Sequence, residues 1–254
     1  TYSYDAVGNE TSIVDRNGRK TSYLYDALDR QTQEIWLDAS NAPIRTTTRS
    51  YDAASQLTSV SNLDSRYSYT YDRAGRLITV DNTGTPNTPN VLLSYGYDAV
   101  NNLTSVTDTI NGQQAGTTAY TYDALDRTTQ ITQSGTGVSN KRVDLTYDAA
   151  SQRTGIARYA DLLGTQNVAT TDYGYDLTGK LTRLTHQRNS TTYADYQWTF
   201  DAADRIVQFI SPDGTSNYNY DSRDQLTSTD HSYQSDEAYT YDANGNRTNT
   251  GYQT

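Results

Sequence analysis

The sequence predicts an all-β protein made of consecutive antiparallel β-hairpins. A Tyr-Asp dipeptide recurs along the whole chain, and turn-forming residues follow each copy at a fixed distance. No window carries the apolar spacing of an amphipathic helix. The copies are roughly 24 residues apart on average, which is the length of one hairpin with its connection. One hairpin is therefore expected to repeat eleven times.

Aromatic residues mark the incoming strand of each unit. We number as zero the aromatic residue before the aspartate, and a second aromatic residue stands at minus two in nine copies. The period of two in a strand places both on one face of the sheet, which predicts a ladder of rings along that face. Tyr252, beyond the last repeat, is not expected to pack in it. The zero residues, predicted to be structural, are Tyr4, Tyr25, Tyr51, Tyr71, Tyr97, Tyr122, Tyr147, Tyr175, Phe200, Tyr220 and Tyr241.

The turn of each unit is marked at plus one and plus four. Plus four is Gly, Asp, Ser or Asn in every copy, including Gly8, Gly75, Gly179 and Gly245. These residue types tolerate a left-handed backbone or bond their own turn. Plus one is always aspartate, and a structural role is favoured over calcium binding because a hard cation needs clustered oxygens. The aspartates are Asp5, Asp26, Asp52, Asp72, Asp98, Asp123, Asp148, Asp176, Asp201, Asp221 and Asp242.

The outgoing strand has threonine at plus seven in nine copies, often followed at plus nine by an apolar residue such as Val60, Val106 or Ile131. This composition is typical of a strand. Apolar residues also occur at plus six, which has the opposite parity to plus nine. The face on which these two positions lie therefore stays open.

The composition excludes several classes of protein. Leu, Ile, Val and Phe make up only about 15% of the chain, too few for a thick core, yet 24 tyrosines argue against disorder. There is no cysteine, and no apolar run is long enough for a membrane span or a signal peptide. The net charge of −10 disfavours nucleic acid and anionic lipid as partners. Because the first residues already follow the repeat, we expect the sequence to begin inside a larger protein.

Other polar residues leave two interpretations open. At plus five, residues such as Arg30, Arg76 and Arg127 either pair with aspartates of adjoining units or are solvated. His186 and His231 lie in polar, loop-like surroundings, which favours solvated surface roles over a Ser-His-Asp triad. Neither a metal site nor a cofactor site is indicated. The tyrosines flanked by Asn, Asp and Arg leave glycan binding open.

The repeats resemble the RHS/YD-repeat family, whose consensus is close to YDxxGRLTxV. The segments YDRAGRLITV at Tyr71, YDLTGKLTRL at Tyr175 and YDANGNRTNT at Tyr241 carry the resemblance. Members include bacterial RHS polymorphic toxins, wall-associated toxins, the BC component of insecticidal toxin complexes and the animal teneurins. The resemblance implies a curved, spiralling β-sheet that is part of a hollow shell, which in the toxins encloses a toxic C-terminal domain. The DPxG-like self-cleavage motif of toxin-bearing members is missing, so neither cleavage nor toxicity is assigned to these residues.

The sequence thus predicts a non-enzymatic scaffold. Residues 1–254 are expected to form one array of about eleven hairpins, a fragment of a larger shell in a secreted or cell-surface bacterial protein. Its expected partners are neighbouring repeats of the parent chain and an enclosed toxin or cargo domain, without nucleic acid or membrane insertion. Self-association through open sheet edges is a further expectation. The alternative is an adhesive or filament-forming surface protein that binds glycans or copies of itself.

Overall fold

The computed structural model describes residues 1–249, which form 21 strands and no helix. Within each of the two units given below, strands that follow one another in sequence pair antiparallel, which confirms the predicted all-β succession of hairpins. Tyr252 lies outside the described residues. Within residues 1–249, no helix is present that could cross a membrane.

The chain divides into two compact units. The first comprises Thr1–Tyr120 with Gln133–Ser139, and the described part of the second comprises Thr121–Thr132 with residues 140–249. The strands that begin in the first unit are β1 (Tyr2–Tyr4), β2 (Glu10–Val14), β3 (Lys20–Tyr25), β4 (Gln31–Leu37), β5 (Pro43–Tyr51), β6 (Leu57–Ser61), β7 (Arg66–Tyr71), β8 (Leu77–Asp81), β9 (Val91–Tyr97), β10 (Leu103–Ile110), β11 (Gln113–Tyr122) and β13 (Val138–Tyr147). Those that begin in the second are β12 (Thr128–Gly135), β14 (Arg153–Tyr159), β15 (Asn167–Tyr175), β16 (Leu181–Arg188), β17 (Thr191–Phe200), β18 (Ile206–Ser211), β19 (Gly214–Tyr220), β20 (Leu226–His231) and β21 (Glu237–Ala238).

Neither unit contains an ordinary hydrophobic core. Among the described residues, Leu145, with 9% of its surface exposed, is the one hydrophobic residue that is buried. Most strand residues are half-buried. The fold therefore depends on main-chain ladders and on side-chain contacts between neighbouring strands, as the small number of aliphatic residues suggests.

A β-bulge occurs at plus seven of the repeat. In the β3–β4 hairpin Tyr25 pairs with Gln31, whereas Leu24 pairs with Gln33, so Thr32 has no partner across the ladder. The same shift occurs in nine hairpins, where two residues of one strand oppose one of the other. The unpaired residues are Thr11, Thr32, Thr58, Ile78, Thr104, Thr154, Thr182, Val207 and Thr227.

The bulge determines the face on which the outgoing apolar residues lie. One extra residue reverses the alternation, so plus six lies opposite zero and plus nine lies opposite minus two. Tyr175 accordingly pairs with Leu181, and Tyr173 pairs with Leu184. Both apolar positions therefore share the face of the aromatic residues. This settles the question of parity that the sequence leaves open.

Threonine makes a specific side-chain hydrogen bond at plus seven. The hydroxyl of Thr182 donates to the carbonyl oxygen of Gly174 at 3.2 Å, and that of Thr227 donates to Asn219 at 3.0 Å. In both cases the acceptor is the residue at minus one, directly beside the bulge. A β-branched residue with a hydroxyl group therefore suits both the extended backbone and this carbonyl.

Deleting Thr182 tests the role of the bulge. We expect the deletion to turn Leu184 to the opposite face and to cost roughly 2 kcal/mol or more in the free energy of unfolding, since an apolar side chain leaves its contacts. Thr182→Ala keeps the register and should cost only about 1 kcal/mol for the lost hydrogen bond. Urea denaturation followed by tryptophan fluorescence measures both. Equal losses in the two variants would contradict this account.

Candidate functional site: the Tyr-Asp turn

The turn begins at the aspartate and is closed by main-chain bonds. In the second repeat the amide of Asp26 donates to the carbonyl oxygen of Arg30 at 3.0 Å. The amide of Asp29 donates to the carbonyl oxygen of Asp26 at 3.1 Å. Asp29, at plus four, has a φ of 58°, in the left-handed region. All eleven plus-four residues have positive φ: Gly8, Asp29, Ser55, Gly75, Asn101, Asp126, Ser151, Gly179, Asp204, Asp224 and Gly245.

The aspartate side chain caps the same turn. Oδ1 of Asp26 accepts the amide of Leu28 at 2.9 Å and that of Arg30 at 3.1 Å. In all eleven copies this oxygen accepts the amide at plus five. Each carboxylate thus provides an acceptor for amides that the reversal of the chain leaves without a ladder partner.

These bonds favour the ionised carboxylate. The side-chain bond from Arg30, followed by the amides of Leu28 and Arg30, lowers the pKa of Asp26 below its ordinary value. The hydroxyl of Thr178 and then the amide of Lys180 lower the pKa of Asp176 to about 2. A lowered pKa means that the ionised carboxylate is more stable in the folded turn than in the unfolded chain, so ionisation of the aspartate favours folding.

The plus-five residue joins one hairpin to the next. Nε of Arg30 donates to Oδ2 of Asp26 at 2.7 Å, while its Nη1 donates to the carbonyl oxygen of Asp52 at 2.9 Å and to Oγ of Ser55 at 3.1 Å. The guanidinium carbon also lies 4.9 Å from the centre of the Tyr51 ring. We call this set of contacts the arginine clamp. The sequence left open pairing with aspartates of adjoining units or solvation. Arg30 instead makes its ion pair with the aspartate of its own turn and bonds the adjoining unit through a carbonyl and a hydroxyl oxygen.

The clamp recurs in both units. Arg76 contacts the turn of Asp98 and the ring of Tyr97, and Arg127 and Arg205 contact the corresponding groups of their own next repeats. Lys180 takes the same position, with its ammonium group 2.8 Å from Oδ1 of Asp204. Where plus five is arginine or lysine, the zero ring of the next repeat is thus covered by a cation from the preceding hairpin.

The zero tyrosines bond back to the preceding hairpin. The hydroxyl of Tyr51 donates to the carbonyl oxygen of Gln31, at plus six of the repeat before it, at 2.9 Å. This bond explains why tyrosine is used far more often than phenylalanine, which has no hydroxyl group. The tyrosines that make it include Tyr25, Tyr51, Tyr71, Tyr97, Tyr147, Tyr175, Tyr220 and Tyr241.

The histidines lie within strands, so the expectation of loop positions is wrong. Nδ1 of His186 lies 3.0 Å from Oγ1 of Thr171, and Nδ1 of His231 lies 2.8 Å from Oγ of Ser216. Ser216 is only 1% exposed, so its hydroxyl is closed to a substrate. The carboxylate of Asp236 accepts the main-chain amide of His231 rather than its ring. This geometry differs from that of a Ser-His-Asp triad.

The first unit contains a recess of about 340 Å³ that was not predicted from the sequence. Its apolar lining includes Ile13, Trp36 and Ile44, and its charged lining includes Arg19 and Lys20. Trp36 is 46% exposed, which is high for so large an apolar ring. The signal available in the sequence was a rare tryptophan between apolar neighbours in the segment EIWL.

Replacing Tyr147 tests the bond to the preceding hairpin. Tyr147→Phe should cost about 1 kcal/mol in the free energy of unfolding, because the bond to Thr128 is lost while the ring stays. The exposed Tyr193 offers a matched control, and Tyr193→Phe should change stability by less than about 0.5 kcal/mol. Urea denaturation at neutral pH measures both. Indistinguishable midpoints for the two variants would contradict a structural role for the hydroxyl.

Acid should unfold the protein through these turns. Because the folded pKa values lie below the unfolded ones, the stability from the carboxylates is complete above about pH 4 and is lost as the pH falls toward about 2. The urea midpoint should therefore drop steeply in that window and change little between pH 5 and 7. Asp176→Asn should reduce the drop, and an unchanged pH profile in that variant would count against the assignment.

Comparison with known proteins agrees with this repeat geometry. The model of the RHS Repeat family matches residues 4–35, 51–86 and 97–138. No curated protein sequence matches the chain significantly.

Among solved structures, the crystal structure of TcdB2-TccC3-Cdc42 matches 94% of this chain at 16% identity with a TM-score of 0.54. A Tc holotoxin pore of Photorhabdus luminescens with a mutant TccC3 matches 96% at 16% identity, with a TM-score of 0.31. The chain spans only 15% of the length of the first and 18% of the second. The first likeness supports the fold. The segments that the family model matches carry the Tyr-Asp turns and their aspartate caps, so this part of the chain is similar to RHS repeats in both sequence and turn geometry.

Proposed function

We propose that this chain is a length of wall in a β-shell that encloses a C-terminal toxin or cargo domain. The observation that carries the proposal is the arginine clamp, which bonds a hairpin to its own turn and to the turn and ring of the next. The charged groups of the repeat are used to hold hairpins together. They are distributed along the array rather than gathered at one point, whereas catalysis needs unlike groups that converge.

A wall needs continuity without a thick core, and the repeat provides it. Each hairpin contacts its neighbours through the ladder, the tyrosine hydroxyl and the plus-five side chain. The stability of such an array is the sum of the stability of each hairpin and the energy of its contacts with the neighbouring hairpins. Hairpins can therefore be added without a larger core. On this proposal residues 1–254 are one array within a larger shell, and the repeated tyrosines, aspartates and turn glycines have structural roles.

The proposal also assigns partners and a location. The neighbours of this segment are further repeats of the same parent chain, and the enclosed partner is the toxin or cargo domain. Neither nucleic acid nor membrane insertion is part of the proposal, nor is a cofactor. The parent protein is secreted or displayed on a bacterial surface. The match of three segments to the RHS Repeat family and the fold likeness to a TcdB2-TccC3 assembly support this assignment.

The alternative is an adhesive or filament-forming surface protein. The recess beside Trp36 favours it. Arg45 lies over the Trp36 ring, yet the residue is 46% exposed, so the indole can still stack on a sugar ring while Lys20 and Arg19 of the same lining bond the sugar hydroxyl groups. Saturable glycan binding that is lost in Trp36→Ala and kept in Tyr193→Ala would favour this alternative.

Mass measurement of the parent protein tests the leading proposal. Under native conditions we expect one particle, and under denaturing conditions we expect it to separate into a long repeat chain and a smaller C-terminal chain. That result requires a cleaved cargo that the shell retains. A single uncleaved chain with repeats to its end would overturn the enclosure of a cleaved cargo and would favour the adhesive alternative.

A further inference from the structure

The recess of the first unit is built on directly opposed strand residues. Ile13 pairs with Thr21 between β2 and β3, and Thr21 pairs with Trp36 between β3 and β4. Residues directly opposite one another share a face of the sheet, and all three line the recess. Ladder bonds on both sides of β3 therefore fix the spacing of these side chains. A site built on strands holds its groups more firmly than one built on a loop.

The indole ring of Trp36 is held in place but keeps an open surface. Its Nε1 donates to Oε1 of Glu34 at 2.9 Å, and the guanidinium carbon of Arg45 lies 5.5 Å from the ring centre. Arg45 in turn pairs with Asp64 at 3.1 Å. Trp36 is nonetheless 46% exposed. Because its N–H group is already used, the ring offers a ligand apolar surface for stacking rather than a hydrogen bond.

Lys20 supplies a cation with unused donors in the same recess. Its ammonium group donates to Oδ1 of Asn41 at 3.5 Å, which is long for a hydrogen bond. None of the ion pairs within residues 1–249 involves Lys20. An ammonium group can donate three hydrogen bonds, so most of its capacity remains for a ligand.

The carboxylate of the lining, that of Asp15, is used within its own turn. Its Oδ1 accepts the amides of Asn17 and Arg19 at 2.8 and 3.0 Å, and its Oδ2 accepts Nε of Arg19 at 2.7 Å. The guanidinium group of Arg19 has further donors, and its side chain is 77% exposed. With Lys20, the lining carries two cations against this one carboxylate, although the whole chain has a net charge of −10. The recess is therefore locally positive and favours an anion.

The indole and the cations together indicate the class of ligand. The C–H face of a sugar ring stacks on an indole, and a carboxylate on the same ring pairs with an ammonium group. A neutral sugar leaves the cations without a counter-charge, and a small inorganic anion leaves the indole unused. The volume of about 340 Å³ is at the lower end of the range for ligand sites, which suits a ligand of monosaccharide size.

We propose that the recess binds an acidic saccharide, a sugar that carries a carboxylate group. Trp36 stacks on the ring, Lys20 and Arg19 pair with the carboxylate, and Ile13 and Ile44 contact the apolar edge of the ring. The proposal rests on the adhesive alternative and deepens it by naming the ligand class. It does not depend on whether the wall encloses a cargo.

The small size of the site sets the expected strength. A single sugar ring of about a dozen non-hydrogen atoms should bind with a Kd of roughly 1 mM. A polysaccharide of the same acidic unit would bind more firmly to a surface that displays many copies of the protein, because linked units raise the effective concentration. Salt should weaken the binding, since the ion pairs are exposed to solvent.

Titration of the chain with glucuronate and with glucose tests the proposal, because the two sugars share a ring and differ by a carboxylate. The NMR signals of the indole N–H groups of Trp36 and Trp198 are the reporters, and Trp36→Phe identifies the first. We expect glucuronate to shift the Trp36 signal saturably and to bind at least tenfold more tightly than glucose. Lys20→Gln should lower the affinity for glucuronate to that for glucose.

Lys141→Gln provides the matched control. Lys141 is an exposed lysine of the second unit, so its replacement changes the net charge of the chain equally without touching the recess. The control should bind glucuronate like the unmodified chain. An equal urea midpoint for Lys20→Gln and the unmodified chain verifies that this variant is folded. If the midpoints differ, the unmodified chain in about 0.5 M sodium chloride replaces the variant, and its affinity should fall for glucuronate but not for glucose.

The outcomes separate the ligand class from binding itself. Equal affinities for the two sugars, or an unchanged affinity for glucuronate in Lys20→Gln, overturn the acidic class but leave the adhesive alternative with a neutral glycan. No saturable shift with either sugar overturns the inference and removes the support of the recess for that alternative, while the masses of the parent protein still decide the wall proposal. Acetate that binds as tightly as glucuronate, or adenosine monophosphate that binds more tightly, assigns the recess to another ligand and also overturns the inference.

Discussion

The bond between the aspartate carboxylate and the amide at plus five is the interaction on which the rest of the structure depends. It occurs in all eleven repeats and fixes where the chain reverses. Reversal at that point requires a left-handed residue at plus four and directs the plus-five side chain toward the next hairpin. One short polar side chain thus determines both the turn and the contact between repeats. In a chain with so few buried apolar residues, such local bonds take the place of a core.

The aromatic residues complete this arrangement. Four zero tyrosines, Tyr51, Tyr97, Tyr147 and Tyr220, offer both a ring on which an arginine from the preceding hairpin rests and a hydroxyl that bonds the preceding outgoing strand. Phenylalanine would supply only the first contact, and leucine neither of them. The abundance of tyrosine, which looked anomalous in the composition, therefore follows from a repeat that must hold its neighbour without a second layer of structure.

The sequence predicted the hairpins and turns because their signals are local and periodic. The bulge was missed, since alternation assumes an unbroken ladder, although the threonine at plus seven was its visible mark in residues such as Thr32. The clamp of Arg30 could not be chosen over solvation, because its acceptors in the next repeat become neighbours only once the register is known. The contact between His231 and Ser216 joins residues 15 positions apart across two strands, and no sequence period links them.

The exposed apolar residues at plus three contrast with this composition. Where Leu, Ile, Val and Phe make up only about 15% of the residues, a fold that leaves Val7, Leu28 and Val100 largely exposed forgoes a substantial part of its scarce apolar surface. Other repeats show that the turn accepts threonine, arginine or asparagine at that position, so folding alone does not require the loss.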